Sequence, residues 1–271
     1  MRAVRWMAAE WPAPAGVIGG TTLREGGVSR DRYASLNLAA HVGDVQSSVE
    51  ANRRRFVTAC GLPAEPKWLT QVHGTNTVRS ENLHRSDAAD AILTNRPGEV
   101  CAVLTADCLP VLIASEDGKE IAAAHAGWRG LSDGILEATI RALETPPSRL
   151  MAWFGPAISQ RAFEVGDEVR ERFLARDGAA AGFFTENTRG RWQADLYGLA
   201  GLRLKQAGLE RHYGGGRCTF GETGAFFSYR RDGECGRMAT FIFRMERGIG
   251  KWPAPRATIS RRIPPPDDVI A

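Results

Sequence analysis

The chain has 271 residues, 43% of them hydrophobic and 24% charged, enough apolar material for a substantial core and too much for an intrinsically disordered chain. Its net charge of +4 is concentrated at one end: residues 244–271 hold six basic and three acidic side chains, which leaves +1 for the body. That is not the strongly basic face expected of a nucleic-acid-binding domain, so a polyanion partner is not expected unless the tail recruits it, and no run of about 18 apolar residues is present to span a bilayer.

The opening "MRAVRWMAAEWPAPAG" lacks an uninterrupted apolar stretch and meets Glu10 and Pro12 early, so it does not read as a signal peptide. "GGTTLREGG" lacks the spacing of a nucleotide-binding loop and is expected as turns, as is "HYGGGRCTFGE" further on. In "SSVEANRRRFVTACG", Ser47 and Glu50 have capping-box spacing, Val49, Phe56, Val57 and Cys60 form an apolar stripe, and Gly61 is placed to stop the helix. Arg53 falls inside that stripe, whereas Arg54 and Arg55 point away. An inward guanidinium requires either a carboxylate, which makes a structural ion pair, or a bound anion such as phosphate.

"VCAVLTADCLPVLIA", "EIAAAHAG", "RLMAWFGP" and "RMATFIFR" are apolar runs short enough to be strands buried on both faces. Between them, "SDGILEATIRALE" aligns Ile135, Leu136, Thr139, Ile140 and Leu143 on one helical face, and "DLYGLAGLRLKQAG" starts at a capping Asp195 and stops at Gly208. Strands outnumber helices without alternating strictly with them. The pattern predicts an α+β fold, two stacked mixed sheets flanked by helices, with residues 1–245 as a single domain and 246–271 as an extended or disordered Arg/Pro tail.

Five cysteines, at 60, 101, 108, 218 and 235, are an odd number in a chain too long to need disulfide staples, which points to a reducing cytoplasm. Three segments end an apolar run with a metal-ligating type: "LTQVHGTN" with His73, "LTADCLPV" with Cys108 and "AAAHAGWRG" with His125. Two imidazoles and a thiol suit zinc, and three protein ligands with a fourth position open are the arrangement of a catalytic site. Bound zinc would hold Cys108 as thiolate and lower the pKa of a water in the open position toward ~7. An equally good reading of spacing alone makes both histidines hydrogen-bonded core residues and Cys108 a small core hydrophobe. Asp107, beside the thiol, has three candidate roles: orienting a ligand histidine, acting as a general base, or capping the turn before Pro110. Arg129, in the "HAGWRG" turn ahead of a helix, is a second candidate for an anion. "FFSYRRDG" sets aromatics beside two arginines, where they would either stack a ring or pack in the core.

The segments "GGTTLREGGVSRDRYASLNLAAHVGDV", "TQVHGTNTV", "LTADCLPVLI", "HAGWRG", "FGPAISQRAFEVGDEV" and "FFSYRRDGECGRMA" occur in an order that resembles the YfiH family, also called the laccase-domain or multicopper polyphenol oxidase family. The likeness runs from about residue 16 to 245, with Leu23 departing from the first motif. It implies a fold like that of cytotoxic-necrotising-factor-type cysteine hydrolases. It further implies that His73, Cys108 and His125 are both zinc ligands and catalytic residues, that Arg53 is catalytic and binds substrate, and that Arg129 and Asn37, the latter in "ASLNL", bind substrate. The activity implied is purine nucleoside phosphorolysis of adenosine, inosine, guanosine and methylthioadenosine, with adenosine deamination in the same site. The partners expected are nucleoside and phosphate, with neither nucleic acid nor membrane, in a monomer or weak homo-oligomer.

Other classes compete. The His, His, Cys trio is also the set of a blue-copper centre, so copper is the alternative metal and polyphenol oxidation the alternative activity. A multicopper oxidase, however, needs several further imidazoles, and the trio uses two of only five histidines. A metal-free cysteine hydrolase would use Cys108 as nucleophile and a histidine as base, and the family resemblance implies editing of peptidoglycan precursors as a substrate class for it. A zinc-stabilised binding module would need the metal for folding alone.

Overall fold

The structure is a computed structural model that describes residues 3–84 and 87–245, so the Arg/Pro tail expected from the sequence lies outside the described residues. In chain order the strands are β1 (Trp6–Ala8), β2 (Val17–Thr22), β3 (Thr77–Arg79), β4 (Ala91–Thr94), β5 (Val100–Thr105), β6 (Leu109–Ser115) and β7 (Ile121–Ala126). They continue with β8 (Leu150–Phe154), β9 (Glu164–Val165), β10 (Phe184–Glu186), β11 (Trp192–Ala194), β12 (His212–Gly214) and β13 (Met238–Arg244). The α-helices are α1 (Gln46–Ala59), α2 (Trp128–Asp133), α3 (Ile135–Ala142), α4 (Asp167–Leu174), α5 (Leu196–Gln206) and α6 (Tyr229–Asp232). Within the described residues, no helix is long and apolar enough to cross a membrane.

Two principal sheets stack, as the α+β reading expects. The order β12-β8-β6-β7-β4-β3 is mixed, with parallel pairs at both edges, whereas β1-β2-β13-β5 is antiparallel throughout; β10-β11-β9 forms a small third sheet. Period-two alternation explains the layering. In β6, Leu109, Val111 and Ile113 face a core shared with Ile135 and Leu136 of α3 and Leu199 and Leu204 of α5. Leu112 and Ala114 point the other way, into a layer with Cys101 and Val103 of β5 and Ile242 of β13. The far side of the antiparallel sheet buries Phe241 and Phe243 against Phe56 of α1 and Cys60, which follows the helix. Phe56 and Phe241 meet edge to face at 5.2 Å, and each buried phenyl contributes roughly 1.5–3 kcal/mol.

Helix α1 departs from its expected start. Its N-cap is Val45 without a side-chain cap, so the Ser47–Glu50 capping box does not form. Asp44 Oδ1 instead accepts the Val45 N–H at the helix entry. Gly61 ends the helix in the left-handed region, as its position predicts. "GGTTLREGG" is corrected in part, because Gly19–Thr22 lie in β2 and not in a turn. Gly20 is needed there for space: a Cβ would lie 2.6 Å from the Trp6 ring.

The segment read as one interrupted strand, "VCAVLTADCLPVLIA", is two strands in two different sheets. β5 pairs with β13 and β6 with β7 and β8, so Ala106, Asp107 and Cys108 form the corner at which the chain crosses between layers. Asp107 turns that corner with φ +89°, a conformation that costs a non-glycine residue about 1–3 kcal/mol.

Candidate metal and catalytic centre

Three chain segments converge at the Asp107 corner. Cys108 follows it directly, His125 lies near the end of the neighbouring β7, and His73 comes from the loop before β3. Their ligand atoms lie within 4.8 Å of one another, making the one such group of three or more metal-ligating side chains among the described residues. The Cys108 Sγ is 3.8 Å from His73 Nε2, and the two imidazoles meet edge to face with centroids 4.8 Å apart. Depth is graded: His73 is exposed, Cys108 half-buried and His125 buried.

The residue that builds this arrangement is Asp90, fully buried ahead of β4. Its carboxylate accepts the His125 Nδ1–H at 2.8 Å and the backbone N–H groups of His73 at 2.9 Å, Gly74 at 2.7 Å and Val72 at 3.3 Å. Wrapping three amides around one carboxylate puts His73 in the left-handed region, with φ +61°. Asp90 also fixes the ring chemistry. With Nδ1 committed to the carboxylate, His125 presents Nε2 to the other two ligands.

Electrostatics follow from this packing. Burial opposes ionisation of Cys108, yet the charge and hydrogen bonds of His125 and His73 outweigh it and bring the thiol down to about 6. Burial also opposes the charged form of His125, but the Cys108 thiolate and Asp90 raise it to about 9. Burial would raise the Asp90 carboxyl, while the hydrogen bond and charge of His125 and the amides of Gly74 and Val72 hold it below the usual carboxylate range. Without metal, then, the site is a thiolate–imidazolium pair oriented by a carboxylate. A preformed thiolate, two imidazoles and an orienting acid fit a borderline-soft divalent ion, with the fourth side facing the cavity.

Gly127 closes the site from below. A Cβ there would stand 2.9 Å from His73 Cδ2 and 3.1 Å from Cys108 Sγ. Above the trio opens a cavity of about 350 Å³, bounded by His41, Gln71, Ile158 and the aromatics Trp128, Phe163 and Tyr229. Its charged lining, besides the histidines, is Asp107, Arg129, Arg230 and Arg237. A larger, open depression around Arg30, Tyr33 and Glu234 holds none of the metal-ligating trio.

Asp107 does not orient a ligand histidine; that role belongs to Asp90. Its carboxylate accepts the Thr219 hydroxyl and the Arg230 N–H, each at 2.6 Å, and its carbonyl accepts the Ile158 N–H at 2.9 Å. Nor does its carboxylate cap the turn before Pro110, as another reading expects; the amide it accepts belongs to α6, more than a hundred residues away.

The expected site residues divide. His73, Cys108, His125 and Arg129 come together at the cavity. Arg53 and Asn37 do not reach its wall. The Arg53 Nε donates to the Leu38 carbonyl at 3.0 Å, and its guanidinium lies over the Trp68 ring at 4.3 Å, so a carbonyl and an aromatic face satisfy the inward charge. Asn37 is buried with both polar atoms occupied. Its amide donates to Ala39 O and Asp44 Oδ2, and its oxygen accepts the N–H groups of Ala39 and Arg237. Both residues shape the segment that carries His41, which lines the cavity and which its polar surroundings in sequence did not single out. Burial and the charges of Arg237 and Arg53 push the His41 imidazole below its ordinary value.

Comparison with known proteins gives consistent relatives. Residues 19–245 match the family described as multi-copper polyphenol oxidoreductase laccase. An Escherichia coli protein called purine nucleoside phosphorylase YfiH is 51% identical over 235 residues, covering 86% of this chain and 96% of its own. A Pseudomonas aeruginosa protein also called a purine nucleoside phosphorylase is 47% identical over 239 residues, covering 88% and 98%. Among solved structures, a Neisseria meningitidis protein of the DUF152 family superposes with a TM-score of 0.85 at 47% identity, covering 89% of this chain and 99% of that one. YlmD from Geobacillus stearothermophilus gives 0.80 at 30% identity, covering 91% and 98%.

Proposed function

The chain belongs to the multi-copper polyphenol oxidoreductase laccase family, and from that premise we propose that it is a zinc-dependent purine nucleoside phosphorylase. Its substrates are adenosine, inosine, guanosine and methylthioadenosine, and it also deaminates adenosine. The names of the E. coli and P. aeruginosa relatives support the reaction class. The observation that carries the reading is the cavity itself, where the His73, Cys108 and His125 trio shares one chamber with three guanidiniums and a single carboxylate that is already hydrogen-bonded. A cavity of about 350 Å³ falls within the ~300–1,000 Å³ usual for small-molecule sites.

In phosphorolysis the bond between ribose C1′ and purine N9 breaks, a phosphate oxygen bonds to C1′, and the base leaves with the electron pair and takes up a proton. The phosphate must be held beside C1′ while the sugar gains positive character. Arg129 is the chain's best candidate for this. Its guanidinium stacks on Trp128 at 4.4 Å and has no carboxylate or carbonyl partner among the described residues. Arg230 is tied to the Ala162 and Glu164 carbonyls, and Arg237 to those of Cys235 and Gly236, so both act through their fixed charge. His73, Cys108 and His125 would hold the zinc, which when bound supplies a Lewis acid at the chamber floor.

In deamination, water adds at C6 of adenine and ammonia leaves, giving inosine. The same chamber serves both reactions when the nucleoside presents its other end. A copper oxidase reading meets an obstacle in the described residues, where no second group of imidazoles accompanies the trio. The reading as a whole is tested by incubating zinc-loaded protein with adenosine and phosphate and separating the products. Adenine with ribose-1-phosphate is expected from phosphorolysis and inosine from deamination; the absence of both at substrate levels of protein overturns it.

A further inference from the structure

Three aromatic side chains line the cavity, and they are not equivalent. Trp128 already carries the Arg129 guanidinium on its ring at 4.4 Å, and Phe163 carries that of Arg230 at 5.4 Å and is buried. Tyr229 is different. Tyr229 lines the cavity yet is 58% exposed as a residue, and the one stacking neighbour of its ring, Arg237, stands off at 5.8 Å on one side. Large aromatic surface left open to water is costly, and a planar heteroaromatic ring is the ligand that would cover it.

The ring is also held in place. Tyr229 is the first residue of α6, and the segment is pinned on both sides: the Ser228 Oγ caps the Arg231 N–H, and the next residue's N–H, that of Arg230, is fixed at 2.6 Å on the Asp107 carboxylate. The backbone under the ring is therefore anchored to the same corner that delivers Cys108. A plate whose position is set before binding loses little freedom when a ligand lands on it.

We infer that Tyr229 is the stacking plate for the purine base, and thus the residue that fixes where the nucleoside's base lies relative to the trio. The inference rests on the nucleoside reading of the cavity. Phe226 and Phe227, the other aromatics of "FFSYRRDG", are fully buried in the core and take no part. Tyr229 stands outside that core, so removing its ring leaves packing intact.

The test is equilibrium binding of adenosine, without phosphate, to the full-length zinc-loaded protein and to Tyr229→Ala and Tyr229→Phe, with thermal unfolding as a fold control. Loss of one base–aromatic stack is expected to weaken adenosine binding about tenfold or more in Tyr229→Ala. Tyr229→Phe, which keeps the ring, should rescue it. In turnover the alanine variant should raise KM for nucleoside and leave KM for phosphate unchanged. Equal affinity of wild type and Tyr229→Ala, in a wild type that binds and turns over adenosine, overturns the stacking role while leaving the proposed activity standing. A wild type that binds no adenosine overturns both.

Discussion

Asp90 holds His125 twice, through its carboxylate on the ring Nδ1 at 2.8 Å and through its carbonyl on the backbone N–H at 2.7 Å. The same carboxylate gathers the amides around His73. One buried acid thus sets the ring of one candidate ligand and the backbone of the other. Replacing it by asparagine keeps size and removes charge. Asp90→Asn should weaken zinc binding roughly 10–100-fold, measured by competition with a chromophoric chelator. An unchanged affinity would show that Asp90 only packs.

The thiolate and imidazolium of Cys108 and His125 define a pH window. The thiol, lowered to about 6, contributes stability above that pH and loses it as pH falls through the value. The imidazole, raised to about 9, contributes below that pH and loses it as pH rises through the value. The pair is therefore intact between about 6 and 9. A metal needs neutral His125, so zinc binding to metal-free protein at pH 7.5 should release about one proton, read by calorimetry in buffers of different ionisation enthalpy. Alkylation of Cys108 should show a midpoint near 6 and be suppressed by zinc.

Gly127 has an ordinary backbone, φ −62° and ψ 154°, so alanine there strains no dihedral. What it meets is the trio itself, at 2.9 Å and 3.1 Å. Gly127→Ala should cost about 1–3 kcal/mol of stability in a denaturant titration and lower the zinc stoichiometry. A variant that unfolds like wild type and binds a full equivalent of zinc would contradict the close approach.

Asparagine tolerates the left-handed backbone of position 107, so Asp107→Asn isolates the loss of charge at the bonds to Thr219 and Arg230. Charged hydrogen bonds are worth ~1.5–3 kcal/mol. The expected result is loosening of the Tyr229 segment, with a several-fold higher KM for nucleoside and unchanged zinc stoichiometry. Loss of zinc instead would place Asp107 at the metal.

Arg129 carries the phosphate prediction. Arg129→Gln should raise KM for phosphate by about tenfold or more, since a charge-assisted contact is lost, and leave adenosine affinity intact. Steady-state kinetics with each substrate varied separately measures both; a rise for adenosine alone would move the phosphate elsewhere.

The strands of the buried layers were legible because runs such as "EIAAAHAG" and "RMATFIFR" are apolar on both faces, and β7 and β13 are indeed covered on both sides. Cys108 and His125 were legible as ligand types at the ends of such runs, whereas His73 proves to come from a loop. Asp90 was not. Its partners lie up to 18 residues before it and 35 after it, and "SDAADAILT" offers more than one aspartate in similar company. Periodicity set Arg53 inward, where a carbonyl and an indole, not an anion, receive it, but Arg55, expected to point away, is half-buried as well and donates to the Gly26 carbonyl at 3.2 Å. Asn37 sits in a diagnostic motif, yet saturation of its amide is a property of the folded loop. The corner at Asp107 read as an interruption within one strand because the partners that assign β5 and β6 to separate sheets, β13 and β8, lie far along the chain.

That strand order has a consequence for the chain as it is made. β13, residues 238–244, is the last described strand, and it lies between β2 and β5 at the centre of the antiparallel sheet. Until it emerges from the ribosome, β5 has no partner in its sheet, and the corner leading from β5 to Cys108 has only one of its two ends secured. Histidines 73 and 125 and the cysteine are all translated more than a hundred residues earlier. The corner that carries Cys108 is therefore secured at both ends only once β13 has paired with β5.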